Sequence, residues 1–307
     1  MDPYSYPSSE PRFSLHLKET TPRWLRYAVS FPTAHPTRYE ENNTVRGEYL
    51  QPRKADRAPL AILLHGIGDR SIIPCKLLAR ALVKRGIACF ILYSVFHSSR
   101  MPEVLRNRLP ALTSEEWFEG YQISVIDVRQ VVDWASGKAE INKEQIAAIG
   151  ISLGGFISAI AMGVDKRIRA GVFLVAGGNS EEITWKSKSR AIRMGLSCTE
   201  AECHHIHSYY PQYLAEVAKK GFENVIPVKG CFLTDPMTFA SYLRNRPILM
   251  INALRDGTIP RQATLDFWEA CGKPAIIWLP GSHVTIWFSY PLISRKITSF
   301  LRATFGV

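Results

Sequence analysis

Six stretches of the chain are apolar almost without interruption: residues 59–64, 87–93, 146–149, 169–176, 247–252 and 275–279. Their length and bounding turn residues predict strands buried on both faces, as in a parallel sheet. Between them the period changes. Leu77, Leu78, Ala81 and Leu82 recur at helical spacing within residues 72–84, and Gly86 follows as a stop. Ile123, Val125, Ile126, Val131, Val132 and Trp134 supply the apolar surface of a long helix over about 114–136, with Thr113 and Glu116 at capping-box spacing. Phe156, Ile157, Ile160 and Ala161 mark a third helix, and two more are expected over about 261–270 and 286–303. Earlier in the chain, residues 24–31 and 44–51 alternate with period two and read as an antiparallel pair at a sheet edge. The sum is an α/β fold, with a mostly parallel eight-stranded sheet and helices on both faces.

The rhythm breaks between about 178 and 235, an interval too long for a connecting loop. It reads as an inserted helical cap within one domain spanning 21–307, preceded by a polar lead-in over 1–20. Inside the insertion, residues 211–220 look helical, with Pro211 in the first turn and Gly221 as stop, and Asp235-Pro236 caps a further helix. Trp185, Tyr209, Tyr210, Tyr213, Phe222 and Phe232 either cover an apolar ligand or pack the insertion on the body.

Composition narrows the class. The 307 residues are 46% hydrophobic and 21% charged, as in a soluble globular domain, and no apolar run is long enough to span a bilayer. Residues 1–12 lack the basic and apolar regions of a signal peptide, so a cytoplasmic protein is expected. The six cysteines are scattered and read as reduced thiols. A net charge of +11 would suit nucleic acid, but the basic residues form no tract and match no nucleic-acid motif. Cys198, Cys203, His204, His205 and His207 invite a metal reading, yet their spacing matches no closed zinc motif.

Chemistry concentrates at Gly150-Ile-Ser152-Leu-Gly154-Gly155, between a predicted strand and a predicted helix. G-x-S-x-G in that context describes a nucleophile elbow, whose turn is too tight for side chains two residues before and after the serine. A serine hydroxyl needs a base, and the base needs a group to orient it. Asp256 follows the strand at 247–252, and His283 follows the strand at 275–279, both at carboxyl ends where open α/β sheets place their sites. The order Ser152, Asp256, His283 is the one expected after such an elbow. Asp165 and Asp266 are weaker alternatives for the acid, because one follows the elbow helix and the other falls inside a helix. His97 stands beyond a strand end and could line a pocket, whereas His16 and His35 read as surface residues.

With these residues in place, the chain resembles the α/β-hydrolases over roughly residues 20–305. A fourth motif, His65-Gly66-Ile67-Gly68-Asp69, is similar to their oxyanion loop. The resemblance implies that the backbone N–H groups of Ile67 and Leu153 hold an oxyanion and that His65 is structural. The loop departs from the triple-glycine form of lipases, and a serine nucleophile departs from the Asp or Cys of dehalogenase, epoxide-hydrolase and dienelactone-hydrolase relatives. The overall arrangement is similar to the acyl-esterase and dienelactone-hydrolase-like branch. The expectation is therefore a serine hydrolase acting on small to medium acyl esters through an acyl-enzyme. A peptidase, a thioesterase and a silent ligand-binding fold are the rivals. No cofactor and no metal is implied; the expected partner is a small-molecule ester, and a homo-oligomer is compatible with the chain.

Overall fold

Five of the six apolar runs become the centre of the sheet; the sixth, over 275–279, is an edge strand in which only Leu279 is buried. In the computed structural model, which describes residues 2–7, 12–54, 56–68, 71–95, 97–106, 112–189, 192 and 198–307, every residue of β4 (Ala58–Leu64) and β8 (Ile248–Ala253) is buried. With β1 (Ser14–Thr20), β2 (Trp24–Pro32), β3 (Thr44–Pro52), β5 (Ala88–Tyr93), β6 (Ile141–Ile151), β7 (Ile168–Leu174) and β9 (Ala275–Leu279) they form one sheet of order β1-β2-β3-β5-β4-β6-β7-β8-β9. From β5 to β9 all pairings are parallel, and β1, β2, β3 and β5 pair antiparallel.

Successive side chains of a strand point to opposite faces, and the core divides accordingly. Leu60, Ile62 and Leu64 join an apolar layer built on α2 (Ser114–Ser136) and α3 (Leu153–Val164). Ala61 and Leu63 face the layer of α1 (Ile72–Val83) and the C-terminal helix Tyr290–Phe305. The capping box opens α2 as its spacing requires, the Thr113 hydroxyl accepting from the Glu116 N–H at 3.2 Å and the Glu116 carboxylate accepting from the Thr113 N–H at 2.9 Å. No helix among the described residues is long and apolar enough to cross a membrane.

Three expectations need correction. The sheet has nine strands instead of eight, because β1 adds outside the predicted edge pair. Its sequence, SLHLKET, has only two apolar residues, and Leu17 is exposed, so the strand carries no buried face for a pattern to reveal. The stretch read as a polar lead-in is docked at both ends. Phe13 stacks on Phe31 at 3.9 Å and on Trp134 at 5.2 Å. Tyr4 is fully buried, its hydroxyl donating to the Leu233 carbonyl at 2.6 Å. Finally, the helix expected from 286 starts as a 3-10 turn over Thr285–Ser289 and becomes α-helical at Tyr290, where Pro291 takes the first turn and needs no N–H partner.

The interval between β7 and β8 is helical: α4 (Ser180–Lys186), α5 (Glu200–His207), α6 (Tyr210–Lys220) and, after a short helix at Cys231–Thr234, α7 (Pro236–Leu243). Residues 190–191 and 193–197 of the expected cap lie outside the described residues. Tyr210, Tyr213, Phe222 and Phe232 are buried in the same layer as α2 and α3. Of the two uses open to these aromatics, packing on the body is the one they have. Arg100, also fully buried, bonds Asp127 and the Tyr93 carbonyl through one guanidinium nitrogen and the Asn42 carbonyl through another, each at 2.8 Å. That knot fixes the chain leaving β5 against α2.

Candidate active site

β6 ends at Ile151 and α3 begins at Leu153, leaving Ser152 alone to reverse the chain. It does so at φ 54° and ψ −120°, a conformation that costs an L-residue about 1–3 kcal/mol and persists only where the surroundings enforce it. They do. The Ser152 N–H is held by the Leu174 carbonyl at 2.9 Å, and the Ser152 carbonyl accepts from Gly155 at 2.7 Å. The glycines are sterically required: a Cβ on Gly150 would lie 2.0 Å from the Gly154 carbonyl oxygen, and one on Gly154 would lie 2.3 Å from that of Leu64. Both obstacles are backbone, which cannot step aside as a side chain can.

Two loops at the same edge of the sheet meet the serine. The loop after β8 carries Asp256 and the loop after β9 carries His283, and they are joined through Leu254 N–H to the Leu279 carbonyl at 2.8 Å and Arg255 N–H to the Gly281 carbonyl at 3.0 Å. Ser282 and Thr285 then lock the turn around His283, Ser282 N–H donating to the Thr285 hydroxyl at 2.8 Å and Thr285 N–H to the Ser282 hydroxyl at 3.2 Å. In consequence His283 Nδ1 lies 2.8 Å from Asp256 Oδ2, and Nε2 lies 2.9 Å from Ser152 Oγ. The carboxylate is 7% exposed and the imidazole 18%. Asp256 Oδ1 accepts from the N–H groups of Thr258 at 2.8 Å and Ile259 at 3.0 Å, so its second oxygen is fixed toward the ring. A carboxylate can only accept here, which puts the ring proton on Nδ1 and leaves the Nε2 lone pair for the serine hydroxyl.

The loop His65-Gly66-Ile67-Gly68 runs beside the serine; a Cβ on Gly66 would come within 3.2 Å of Ser152 Cβ. His65 is buried and faces away from the hydroxyl. Its Nε2 accepts from the Ser94 N–H at 3.1 Å, so Nδ1 carries the proton and donates to the Gly66 carbonyl at 2.7 Å. The Ser71 hydroxyl donates to the same carbonyl at 2.7 Å. Gly66 C=O and Ile67 N–H belong to one planar trans peptide and point in opposite directions. Holding the carbonyl therefore holds the Ile67 N–H. Leu153, the first residue of α3, offers an N–H from a helix start, where backbone donors lack partners within the helix. Asp69, the last residue of the motif, lies outside the described residues.

The other sequence candidates are engaged elsewhere. Asp165 binds Arg167 through both oxygens, at 3.0 and 2.7 Å. Asp266 accepts from Asn179 and from Gln262, each at 2.7 Å. His97 is buried with its ring 4.0 Å from that of His65, behind the loop. His16 is exposed on β1. Ser187 and Lys188, which follow α4, were given no role by the sequence. The Ser187 hydroxyl donates to the Thr258 carbonyl at 2.8 Å, and the Lys188 N–H to the Gly257 carbonyl at 2.7 Å, so the insertion grips the loop that carries Asp256. No sequence pattern marks a contact between residues so far apart.

No curated protein sequence matches the chain at a significant level. Among solved structures, the chain is similar to an acetyl xylan esterase from Paenibacillus sp. R4, with a TM-score of 0.65 and 17% identity over 95% of this chain and 89% of that one. Acetyl xylan esterase 1 from Thermoanaerobacterium sp. JW/SL YS485 superposes with a TM-score of 0.63 and 13% identity, over 97% and 90% of the two chains. A cold-adapted esterase from an Arctic intertidal metagenomic library gives 0.57 and 16%, over 96% and 98%. At these identities the likeness establishes the fold. The sequence profile of the family described as alpha/beta hydrolase domain containing 18 matches residues 25–182, just over half of the chain, and the protein belongs to that family of α/β-hydrolases.

Proposed function

We propose that this hydrolase cleaves carboxylic esters through an acyl-enzyme formed on Ser152. The observation that carries the reading is His283 hydrogen-bonded on one side to Ser152 at 2.9 Å and on the other to Asp256 at 2.8 Å. As the Ser152 oxygen attacks the ester carbonyl, His283 Nε2 takes its proton, and Asp256 orients the ring and stabilises the imidazolium. The N–H groups of Ile67 and Leu153 receive the negative charge that develops on the carbonyl oxygen, a term worth several kcal/mol of barrier, in the range of ~3–4 per donor. His283 then gives its proton to the departing alcohol. Water, activated by the same imidazole, releases the acid and restores the serine. These steps use only groups of the chain and the substrate.

Small to medium acyl groups suit the surroundings. Ile67 beside the serine and Val284 beside the histidine are 53% and 74% exposed and give the site an apolar rim. The acetyl xylan esterases that share the fold are named for a short acyl group. The hydrolase domain then includes β1 and the docked residues before it, with the segment from about 178 to 235 as a cap whose first helix borders the site. Ile183 of α4 packs with Ile259, Ala263 and the elbow-helix residue Phe156.

The test is a panel of p-nitrophenyl acetate, butyrate and octanoate with wild type and Ser152→Ala, together with labelling by a fluorophosphonate. Ester turnover that favours the shorter chains, and labelling lost in the variant, are expected. Residual turnover within tenfold of wild type in folded Ser152→Ala would remove Ser152 as nucleophile.

A further inference from the structure

The insertion gathers a second set of reactive side chains, remote in sequence from Ser152. Glu181 on α4 and Cys203 and His207 on α5 each place a potential donor atom within 4.8 Å of the others. Cys203 and His207 are buried, and they share one helix face because they are four residues apart. The His207 ring is already oriented. Its Nδ1 lies 3.0 Å from the Cys203 carbonyl, so the N–H donates there, and the lone pair stays on Nε2, which lies 3.4 Å from the Ser180 hydroxyl that an ion would displace. A backbone carbonyl on the far nitrogen is the usual support of a metal-bound imidazole. Cys203 Sγ lies 3.5 Å from the same Nδ1, so thiol and imidazole are already in contact.

From this cluster we infer that the insertion binds one zinc ion through Cys203, His207 and Glu181, with water as fourth ligand. Thiolate and imidazole donors with one carboxylate select zinc over magnesium or calcium, which prefer all-oxygen sets. Bond lengths of about 2.0–2.3 Å set donor spacings of roughly 3.3–3.8 Å in a tetrahedron. The present 4.8 Å limit closes to that by rotation of Glu181, whose partly exposed side chain now contacts His204. The ion ties α4, whose following residues Ser187 and Lys188 hold the Asp256 loop, to α5.

The sequence pattern offered Cys203 and His207 but not Glu181, which stands far upstream of the Cys and His run. The experiment uses the whole protein purified without chelator or metal-affinity resin. Plasma mass spectrometry should find about one zinc per chain in wild type and in the control Cys75→Ala, and at least tenfold less in Cys203→Ser and His207→Ala. Titration of metal-free wild type with cobalt(II) gives a second readout that does not depend on the variants folding. Thiolate-to-cobalt charge transfer, with intense tetrahedral bands in the visible, is expected. The inference is overturned if wild type retains no zinc and cobalt gives no thiolate band. A disulfide between Cys198 and Cys203 in non-reducing peptide maps overturns it equally. Neither readout involves ester turnover, so the zinc site and the Ser152 mechanism stand or fall separately.

Discussion

Replacing Asp256 by asparagine tests the arrangement at its most specific point. The substitution changes one atom and leaves shape and volume nearly intact. An amide has one acceptor and one donor end, and it must choose which faces His283. If the oxygen takes the place of Oδ1, it keeps the N–H bonds of Thr258 and Ile259, now 2.8 and 3.0 Å long, and the NH2 points at the ring. In the opposite orientation two backbone donors face an NH2 group and lose their acceptor, at about 1–3 kcal/mol each. The first orientation therefore dominates by roughly 2–6 kcal/mol. It presents a donor to His283 Nδ1, which must then accept, so the ring proton moves to Nε2 and the lone pair facing Ser152 is lost. The expected fall in kcat is about 10^4-fold, or ~5.5 kcal/mol at 1.36 kcal/mol per decade, with KM little changed. Steady-state hydrolysis of p-nitrophenyl acetate measures it, with circular dichroism and the urea midpoint to establish that the variant is folded. A folded Asp256→Asn variant within tenfold of wild-type kcat would mean that Asp256 does not set the tautomer of His283, and the proposed mechanism would lose its third member.

Two predictions concern the body of the fold. Burial alone would raise the Asp165 carboxyl, but the hydrogen bonds and charge of Arg167, with the charge of Arg129, overcome it and hold the group below its usual range. A carboxyl with a depressed folded pKa stabilises above its unfolded value, near ~3.9, and loses that contribution as pH falls through the folded one. Wild type should therefore be more stable than Asp165→Asn at pH ~6, and the gap should close toward pH ~2.5; urea midpoints that differ equally at both pH values would contradict this. Tyr4→Ala should cost about 3–5 kcal/mol, since a buried aromatic side chain is removed from between the rings of Phe222 and Phe239. A change in urea-unfolding free energy below ~1 kcal/mol would mean that the first residues are not docked in solution.

The central strands were legible because burial on both faces forces a continuous apolar run, although the edge strand β9 carries such a run with only Leu279 buried. The elbow was legible because backbone contacts at Gly150 and Gly154 forbid a side chain. Ser152, Asp256 and His283 could be set in order because each follows a strand that could be found. β1 stayed hidden for the opposite reason: it buries almost nothing, and its pairing with β2 is a backbone matter. Tyr4 and Arg100 were equally silent. A tyrosine in a polar stretch and an arginine after a strand look like surface until the partners at Leu233 and Asp127 come into contact with them. The aromatics of the insertion could be found but not assigned, because a residue that covers a ligand and one that covers its own core have the same chemistry.

The grip of Ser187 and Lys188 on the Asp256 loop sets a rule for exchanging insertions between relatives. Ser187 acts through its hydroxyl and Lys188 through its backbone N–H. A graft beginning at Gly178 must therefore supply a hydroxyl at position 187 and anything but proline at 188, or the carbonyls of Gly257 and Thr258 lose their donors. A junction placed after Ser189 leaves both bonds in the recipient. A chimera made at the later boundary takes up foreign helices while keeping the recipient's own bonds beneath the acid loop.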